Sequence, residues 1–392
     1  MAYQEQTFRV NPQWCWSARR TIPISGRVSS IDLPWFALLA VGLLSGAGVG
    51  SAATAYSMVD LGDLGGDFAR ARAINEAGQV VGEALLPVAG IIEHGFSWQS
   101  GAISDLGTLG GQRSRALDIN NAGTISGWAL NASAVAQPTL WSGYNVIALP
   151  TLGGGSGAAW SLNDAGTAVG NASLSGGISH AVLWDAGGVH DLGTLGGPSS
   201  IAYDINNLGT IVGTAYDSAG RERASLWGSG GPVDLGGLSG GSWNAARGIN
   251  DLGQLILWGV PQGANANRAA FWNGDLSSPV IELGTFGGDE SWAYGMNDRG
   301  DVVGWAELPD GTYHAYVWDG VEKTDLGTLG GLYSSAYGIN DQGNIVGFSL
   351  DEFGRTHAVE WMMVVPEPAV TRYVLVAGLI MFGLRWRRYR QV

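Results

Sequence analysis

Asp105-Leu106-Gly107-Thr108-Leu109-Gly110-Gly111 is a phrase that this chain repeats. It stands again at 191–197 and 325–331, and degenerate copies begin at Asp60, Ala148, Asp234 and Glu282. An Asn follows each copy, at Asn75, Asn120, Asn163, Asn206, Asn250, Asn297 and Asn340. A Trp follows each Asn, at Trp98, Trp141, Trp184, Trp227, Trp272, Trp318 and Trp361. Seven copies at a period of 43–47 residues decide the architecture before any single residue is weighed. Most recurring residues are then structural, because a catalytic centre needs one copy of its machinery.

The second copy shows how a repeat is read. Residues 114–120 alternate as a strand does, and Asn120-Asn121-Ala122-Gly123 reads as a turn. Residues 124–129, 138–141 and 145–149 follow as three more short strands, which predicts antiparallel pairing. Asn suits the first turn position because its side chain bonds backbone two residues on, and Gly three residues later takes the left-handed conformation. That Asn/Gly pair recurs from Asn75/Gly78 to Asn340/Gly343. Four residues before each Asn stands Ala (Ala71, Ala116, Ala159, Ala202, Ala246, Ala293, Ala336), which predicts either a close approach of neighbouring backbones or a crowded axis. The apolar residue just before each Asn and the seven Trp are the expected core.

Four-stranded units of this length predict an all-β, seven-bladed β-propeller over residues 56–361, with a β-solenoid as the alternative. The seventh repeat stops at Trp361 without an outer strand. Tyr56-Ser57-Met58-Val59-Asp60-Leu61 is a spare strand at the other end, predicted to pair there and cover the open edge.

Composition narrows the function. Gly is 64 of 392 residues, well above the usual ~7%; it feeds turns and disfavours helix. The net charge is −14, but residues 1–55 hold four Arg against two acids, and residues 369–392 hold five Arg and no acid. Residues 56–368 are left with 11 basic and 32 acidic groups, a surface that repels phosphate backbones and argues against a nucleic-acid partner. The one Cys, Cys15, lies in residues 1–55, so neither disulfide nor thiol chemistry is expected of the mature chain.

Both ends read as address labels. Arg19, Arg20 and Arg27 precede an apolar run at 33–44, and small residues follow to Ala53-Thr54-Ala55. This order predicts a signal peptide over 1–55, with Ala53 and Ala55 read by signal peptidase. At the far end Val365-Pro366-Glu367-Pro368 precedes an apolar stretch at 373–384 and the tail Arg385-Trp386-Arg387-Arg388-Tyr389-Arg390. A helix over that stretch reaches ~18 Å, short of the ~30 Å hydrocarbon core, and the Arg cluster would hold its tail in the cytoplasm.

Residues 362–392 resemble the PEP-CTERM sorting signal of Gram-negative bacteria. Pro366, Glu367 and Pro368, a short transmembrane helix, and Arg385, Arg387, Arg388 and Arg390 follow in that family's order; Arg372 departs from it. The resemblance implies export, a transient inner-membrane stage, and handling by an exosortase, an integral membrane enzyme. The repeats are similar to the HAF-repeat family of bacterial extracellular proteins. The His-Ala-Phe segment appears loosely as His94-Gly95-Phe96, His180-Ala181-Val182, His314-Ala315-Tyr316 and His357-Ala358-Val359, while Gln137, Arg223 and Arg268 hold that slot elsewhere. This likeness implies export and a repeat fold, and brings no activity with it.

The search for chemistry finds no G-x-S-x-G elbow and no H-E-x-x-H pair. Gly153-Gly154-Gly155 lacks the Lys-Ser/Thr ending of a phosphate loop, and the tips at 217–220 and 351–354 lack the oxygen ladder of a calcium loop. The four His in the repeat slot are expected to make structural hydrogen bonds. No catalytic residue, metal site or cofactor is expected. Trp160, Tyr203, Trp243, Trp292, Tyr294, Tyr333 and Tyr337 cluster before the Asn turns. They either pack between blades or form a ring on which sugars stack, with several related loops giving multivalency. The expected protein is exported and non-enzymatic, at the cell surface or outside the cell, and acts in adhesion or in the exopolysaccharide matrix. A glycan hydrolase or lyase and a purely structural envelope protein are the alternatives.

Overall fold

The computed structural model describes residues 55–364, apart from 89, 144, 229, 238, 239 and 276. The predicted processing residues Ala53, Pro366, Glu367, Pro368, Arg385, Arg387, Arg388 and Arg390, and the helix at 373–384, lie outside the described residues. Those that are described form an all-β structure without an α-helix.

Strand β1 (Ala55–Gly62) stands apart from the sheet that follows it. That sheet is β2 (Ala69–Ile74), β3 (Val80–Leu85), β4 (Glu93–Gln99) and β5 (Ala102–Asp105). Next come β6 (Gly110–Ile119), β7 (Ile125–Asn131), β8 (Ala136–Ser142) and β9 (Asn145–Ala148), then β10 (Gly153–Leu162), β11 (Ala168–Leu174), β12 (Ser179–Asp185) and β13 (Gly188–Gly193). The fourth group is β14 (Gly196–Ile205), β15 (Ile211–Asp217), β16 (Glu222–Gly228) and β17 (Gly231–Asp234). The fifth is β18 (Ser242–Ile249), β19 (Leu255–Val260), β20 (Arg268–Trp272) and β21 (Ile281–Glu282), and the sixth β22 (Ser291–Met296), β23 (Val302–Glu307), β24 (Tyr313–Trp318) and β25 (Lys323–Asp325). The last group has three strands of its own, β26 (Gly330–Ile339), β27 (Ile345–Asp351) and β28 (Thr356–Val364).

Within each group every strand pairs antiparallel with its sequence neighbour, unlike the coil-on-coil pairing of a solenoid. β1 supplies the fourth strand of the last group: Met58 lies opposite Trp361 and Tyr56 opposite Met363. That ladder runs on to Ala55 and Val364, three residues past the Trp at which the repeat ends in sequence. The second repeat also departs from its reading. Its inner strand begins at Gly110, because Gly110 pairs Asn131 and a bulge carries the register on to Ser114.

A second bulge recurs in every inner strand, and it explains the Ala. The ladder skips one residue between Ala71 and Ala73, and likewise after Ala116, Ala159, Ala202, Ala246, Ala293 and Ala336. The backbones close in at this point. A Cβ on Gly82 would meet the Arg70 carbonyl at 1.9 Å, so Gly is needed there; Gly holds the same place in every repeat but the fifth, where Leu257 lies opposite Ala246. All seven Ala are buried.

The Asn turns are joined to one another. Each Asn side-chain Oδ1 accepts from its own turn, as Asn206 does from the backbone of Thr210 at 2.9 Å. Each Nδ2 donates to the carbonyl of the next Asn, from Asn75 through Asn120, Asn163, Asn206, Asn250 and Asn297 to Asn340, at 3.0–3.3 Å. Asn340 then donates to the carbonyl of Asn75 at 3.2 Å, which closes a ring. Outside it the following residues form another: the backbone N–H of each donates to the side chain of the next, through Glu76, Asn121, Asp164, Asn207, Asp251, Asp298 and Asp341 and back to Glu76.

Apolar packing fills the space between neighbouring groups. Ala73 and Val81 of the first meet Ala116, Ile119, Ile125, Ala129 and Trp141 of the second. Six of the seven repeat Trp are buried and Trp98 is half-buried. Trp361 donates its indole N–H to the Leu326 carbonyl at 2.9 Å, so its polar edge is satisfied where its rings are packed.

Candidate functional site

The inner-strand bulge selects a set of side chains, because a bulged residue is unpaired and its side chain is re-aimed. The skipped residue lies three before each Asn: Arg72, Leu117, Trp160, Tyr203, Arg247, Tyr294 and Tyr337. Six of these fall into two runs of three that touch around the Asn ring, Arg72–Tyr337–Tyr294 and Arg247–Tyr203–Trp160. The Arg72 guanidinium lies 4.6 Å from the Tyr337 ring centre, and Tyr337 lies 4.8 Å from Tyr294. Arg247 lies 4.0 Å from the Tyr203 ring, and Tyr203 meets Trp160 edge-on at 5.8 Å. The charges of Arg247 and Arg72 both reach Tyr294, whose phenol is pushed up by burial first and by Tyr337 second.

Neighbours hold this belt in place. Arg72 makes a forked pair with Glu83, which has no exposed surface, at 2.7–3.1 Å. Trp160 donates its indole N–H to Asn171 at 2.8 Å. Cation–π contacts such as those of Arg72 and Arg247 contribute about 0.5–2 kcal/mol each, depending on desolvation.

One residue further on lies a carboxyl pair. Ser161 Oγ sits 2.9 Å from Asp118 Oδ2 and 2.7 Å from Asp204 Oδ1. A serine hydroxyl has a single proton to donate. Two carboxylate oxygens therefore share it only if one of the acids carries a proton and donates back. Burial pushes both acids up, Asp204 to about 7 with Asp118 as the next cause.

The seven aromatics singled out in the sequence do not make one ring. Trp160, Tyr203, Tyr294 and Tyr337 share the bulge slot, but Trp292 lies five before its Asn, and Trp243 and Tyr333 lie seven before theirs. Trp243 is buried in the core against Val212, Leu235 and Trp272. Trp292 stacks on Trp258 at 4.3 Å and faces Trp305 at 6.2 Å, and Tyr333 stacks on Tyr313 at 4.6 Å. None of the seven is exposed, and Tyr203 and Trp243 are buried. The sequence reading missed Arg72 and Arg247; counting back from each Asn would have found them, since the slot is fixed whatever residue fills it.

The repeat His residues have carboxylate partners eleven positions on, or across the chain ends. His94 Nδ1 meets Asp105 at 2.9 Å, His180 meets Asp191 at 3.0 Å, and His314 meets Asp325 at 2.9 Å. His357 meets Asp60 of β1 at 2.8 Å, and Arg223 takes the same place against Asp234 at 3.1 Å. The first Asp of the repeated phrase is thus half of a clamp between the two outermost strands. Gln137 fills the His slot where Ala148 replaces that Asp, a pairing visible in sequence once the register is known. Among the described residues no group of three or more His, Cys, Asp or Glu is placed to hold a metal ion, and no helix is long and apolar enough to cross a membrane.

No family model and no curated protein matches the chain. Solved structures that resemble it include TolB from Acinetobacter baumannii, at 16% identity over 65% of this chain and 62% of that one, with a TM-score of 0.45. The match therefore spans less than two thirds of the TolB chain. YCF48 bound to a D1 peptide is similar at 14% identity over 79% of this chain and 95% of that one, TM-score 0.45. A mutant Aleuria aurantia lectin in complex with Fucalpha1-6GlcNAc is similar at 11% identity over 79% and 99%, TM-score 0.37.

Proposed function

We propose that this chain is an exported, non-enzymatic, seven-bladed β-propeller of the bacterial cell surface or extracellular matrix, and that it acts in adhesion by holding exopolysaccharide. The observation that carries this reading is the bulge belt, where the Trp160–Tyr203 pair meets the guanidinium group of Arg247 and the Tyr294–Tyr337 pair meets that of Arg72. Aromatic faces suit the C–H faces of sugars, and Arg supplies fixed N–H donors for their hydroxyls. The sequence resemblances support the route. Residues 1–55 act as a signal peptide cut after Ala55. Residues 362–392 act as a PEP-CTERM signal that an exosortase handles while the 373–384 helix holds the inner membrane.

Retention of the full chain on immobilised exopolysaccharide tests the binding. Trp160→Ala and Tyr337→Ala are expected to weaken retention about tenfold while the melting temperature shifts little. A large fall in melting temperature with unchanged retention would assign these residues to packing alone and refute the reading. Intact mass spectrometry of the surface protein tests the route: the mature chain is expected to end near Pro366–Pro368, and a chain still ending at Val392 would contradict the sorting step.

A further inference from the structure

The seam where the chain ends meet differs from every other outer edge. In the first repeat a tight turn through Ser100 and Gly101 joins the two outermost strands. At the seam no turn joins β28 to β1, since these are opposite ends of the described chain. Their ladder therefore continues through Tyr56–Met363 into the space a turn takes elsewhere. The extension borders a half-open pocket of about 190 Å³, lined by Tyr56, Arg299, Asp301, Val317, Asp319, Thr324 and Met363. At ~30 Å³ per water this is room for about six waters, the space of a sugar ring rather than of a chain.

The lining has hydrogen-bonding capacity to spare. Asp319 Oδ1 accepts from the backbones of Val321 at 2.9 Å and Glu322 at 2.7 Å, which fixes the carboxylate, while Oδ2 accepts from neither. Arg299 gives its Nε and Nη2 to Asp301 Oδ2 at 3.0 and 2.7 Å, so Nη1 is left over. Among the described residues the Tyr56 and Thr324 hydroxyls have no hydrogen-bond partner. Burial, and then the charge of Asp301, push the Tyr56 phenol up, so it stays a donor. Val317 and Met363 add an apolar wall.

The charges of this lining select the ligand. Two carboxylates against one guanidinium leave the pocket negative, which disfavours phosphate or a uronate. Two carboxylates, one of them already paired, are a poor cage for a hard cation, which takes six or more oxygens. A neutral polyol fits: carboxylate oxygens accept from its hydroxyls, Arg donates, and Tyr and Thr do either. We infer that the seam pocket binds a single neutral sugar residue, such as a hexopyranose chain end, where the two ends of the described chain meet. This rests on the reading that the chain meets saccharide, and deepens it by naming the chain end as what the seam takes.

The test uses the full chain with free glucose, galactose, mannose and N-acetylglucosamine as probes, followed by ligand-observed NMR. Methylamine and inorganic phosphate serve as charged controls. At least one sugar is expected to bind at roughly millimolar strength. Tyr56→Phe, Thr324→Val and Asp319→Asn are each expected to weaken it about tenfold, because each leaves a desolvated hydroxyl without its partner. Their melting temperatures should match the unsubstituted chain. No binding by any sugar, binding that survives all three substitutions, or equal binding of methylamine or phosphate would overturn the inference. If these fail while exopolysaccharide retention still depends on Trp160 and Tyr337, the broader reading stands alone. If retention is absent but sugar binds at the seam, the broader reading fails alone.

Discussion

The Asn turns and the Gly-rich corners sit at opposite ends of the inner strands, and both recur in every repeat. Only the turns are invariant. The reason lies in where their bonds go. Corner bonds are largely local: Gly107 N–H donates to Asp105 at 2.7 Å, and the Thr108 hydroxyl donates to the Gly111 carbonyl at 2.8 Å. A changed residue there alters one corner. Each Asn side chain serves two repeats at once, with Oδ1 holding its own turn and Nδ2 reaching the next. That duty needs an acceptor and a donor on a short stem. Asp lacks the donor, and Ala lacks both. A side chain that must accept within its own repeat and donate to the next is held fixed, whereas the residue after it needs only an acceptor oxygen and varies among Glu, Asn and Asp.

The seam is where this comparison is easiest to break, because there the ring and the outer ladder both depend on joining distant ends of the chain. Deleting residues 56–61 removes the strand opposite β28, the Asp60 partner of His357, and the Met58 cover on Trp361. The exposed edge and bared Trp should cost most of the ~5–15 kcal/mol that holds a typical domain. Unfolding by urea, followed by circular dichroism, should show collapse of the whole fold. If hydrogen exchange instead found protection lost only in β26–β28, the ring would not be coupling the repeats.

Breaking one ring member is the next largest effect. Asn206→Ala removes the bonds to Thr210 N–H and to the Asn250 carbonyl from a side chain that is buried. Stranding those partners should cost about 3 kcal/mol, given ~1–3 for each buried group left unsatisfied. Equilibrium unfolding measures it. A cost below ~1 kcal/mol would mean that water fills the gap and that the invariance has another cause.

Much of this was legible in the sequence because repetition separates what the fold needs from what it tolerates. Period, turn chemistry, the buried Ala and the strand shared by the two chain ends can all be read from register alone. The Asn was read as a turn residue, and its second bond, to the next repeat, was not foreseen, since a contact 43–47 residues away leaves no mark on local chemistry. The candidate belt was half visible. Trp160, Tyr203, Tyr294 and Tyr337 were found by type, but Trp243, Trp292 and Tyr333 were grouped with them on nearness to the Asn rather than on slot. The bulge decides which neighbour turns where, and a bulge shows only in pairing. The seam pocket needs three distant segments together, so no single stretch announces it.

The carboxyl pair sharpens the comparison by pH. Asp118, Ser161 and Asp204 lie two residues before the Asn and, like the ring, bridge three successive repeats. Asp204 binds its proton more tightly folded than unfolded, its value being raised from 3.8 to about 7, chiefly by burial and then by Asp118. Its contribution to stability is therefore full below about pH 4 and is lost as pH rises toward 7. Other acids titrate as well, so the informative quantity is the stability difference between the unsubstituted chain and Asp204→Asn. It should change by on the order of 4 kcal/mol between pH 4 and 8. A pH-independent difference would mean that no proton is shared.

The smallest effect belongs in a corner. Thr194 donates to the Gly197 carbonyl at 2.8 Å and accepts from Gly196 N–H at 3.2 Å, the same arrangement as Thr108 and Thr328. Thr194→Val keeps the shape and deletes both bonds. Gly196 is exposed, so water replaces what is lost, and the cost should be about 0.5–1 kcal/mol. The chain already carries a version of this experiment, since Gly237 stands in the Thr position of the copy that begins at Asp234. Measured side by side by equilibrium unfolding, Thr194→Val should fall well short of Asn206→Ala. Equal costs would show that bonds kept within a repeat matter as much as bonds between repeats, and the account of why one end of the inner strand is invariant would fail.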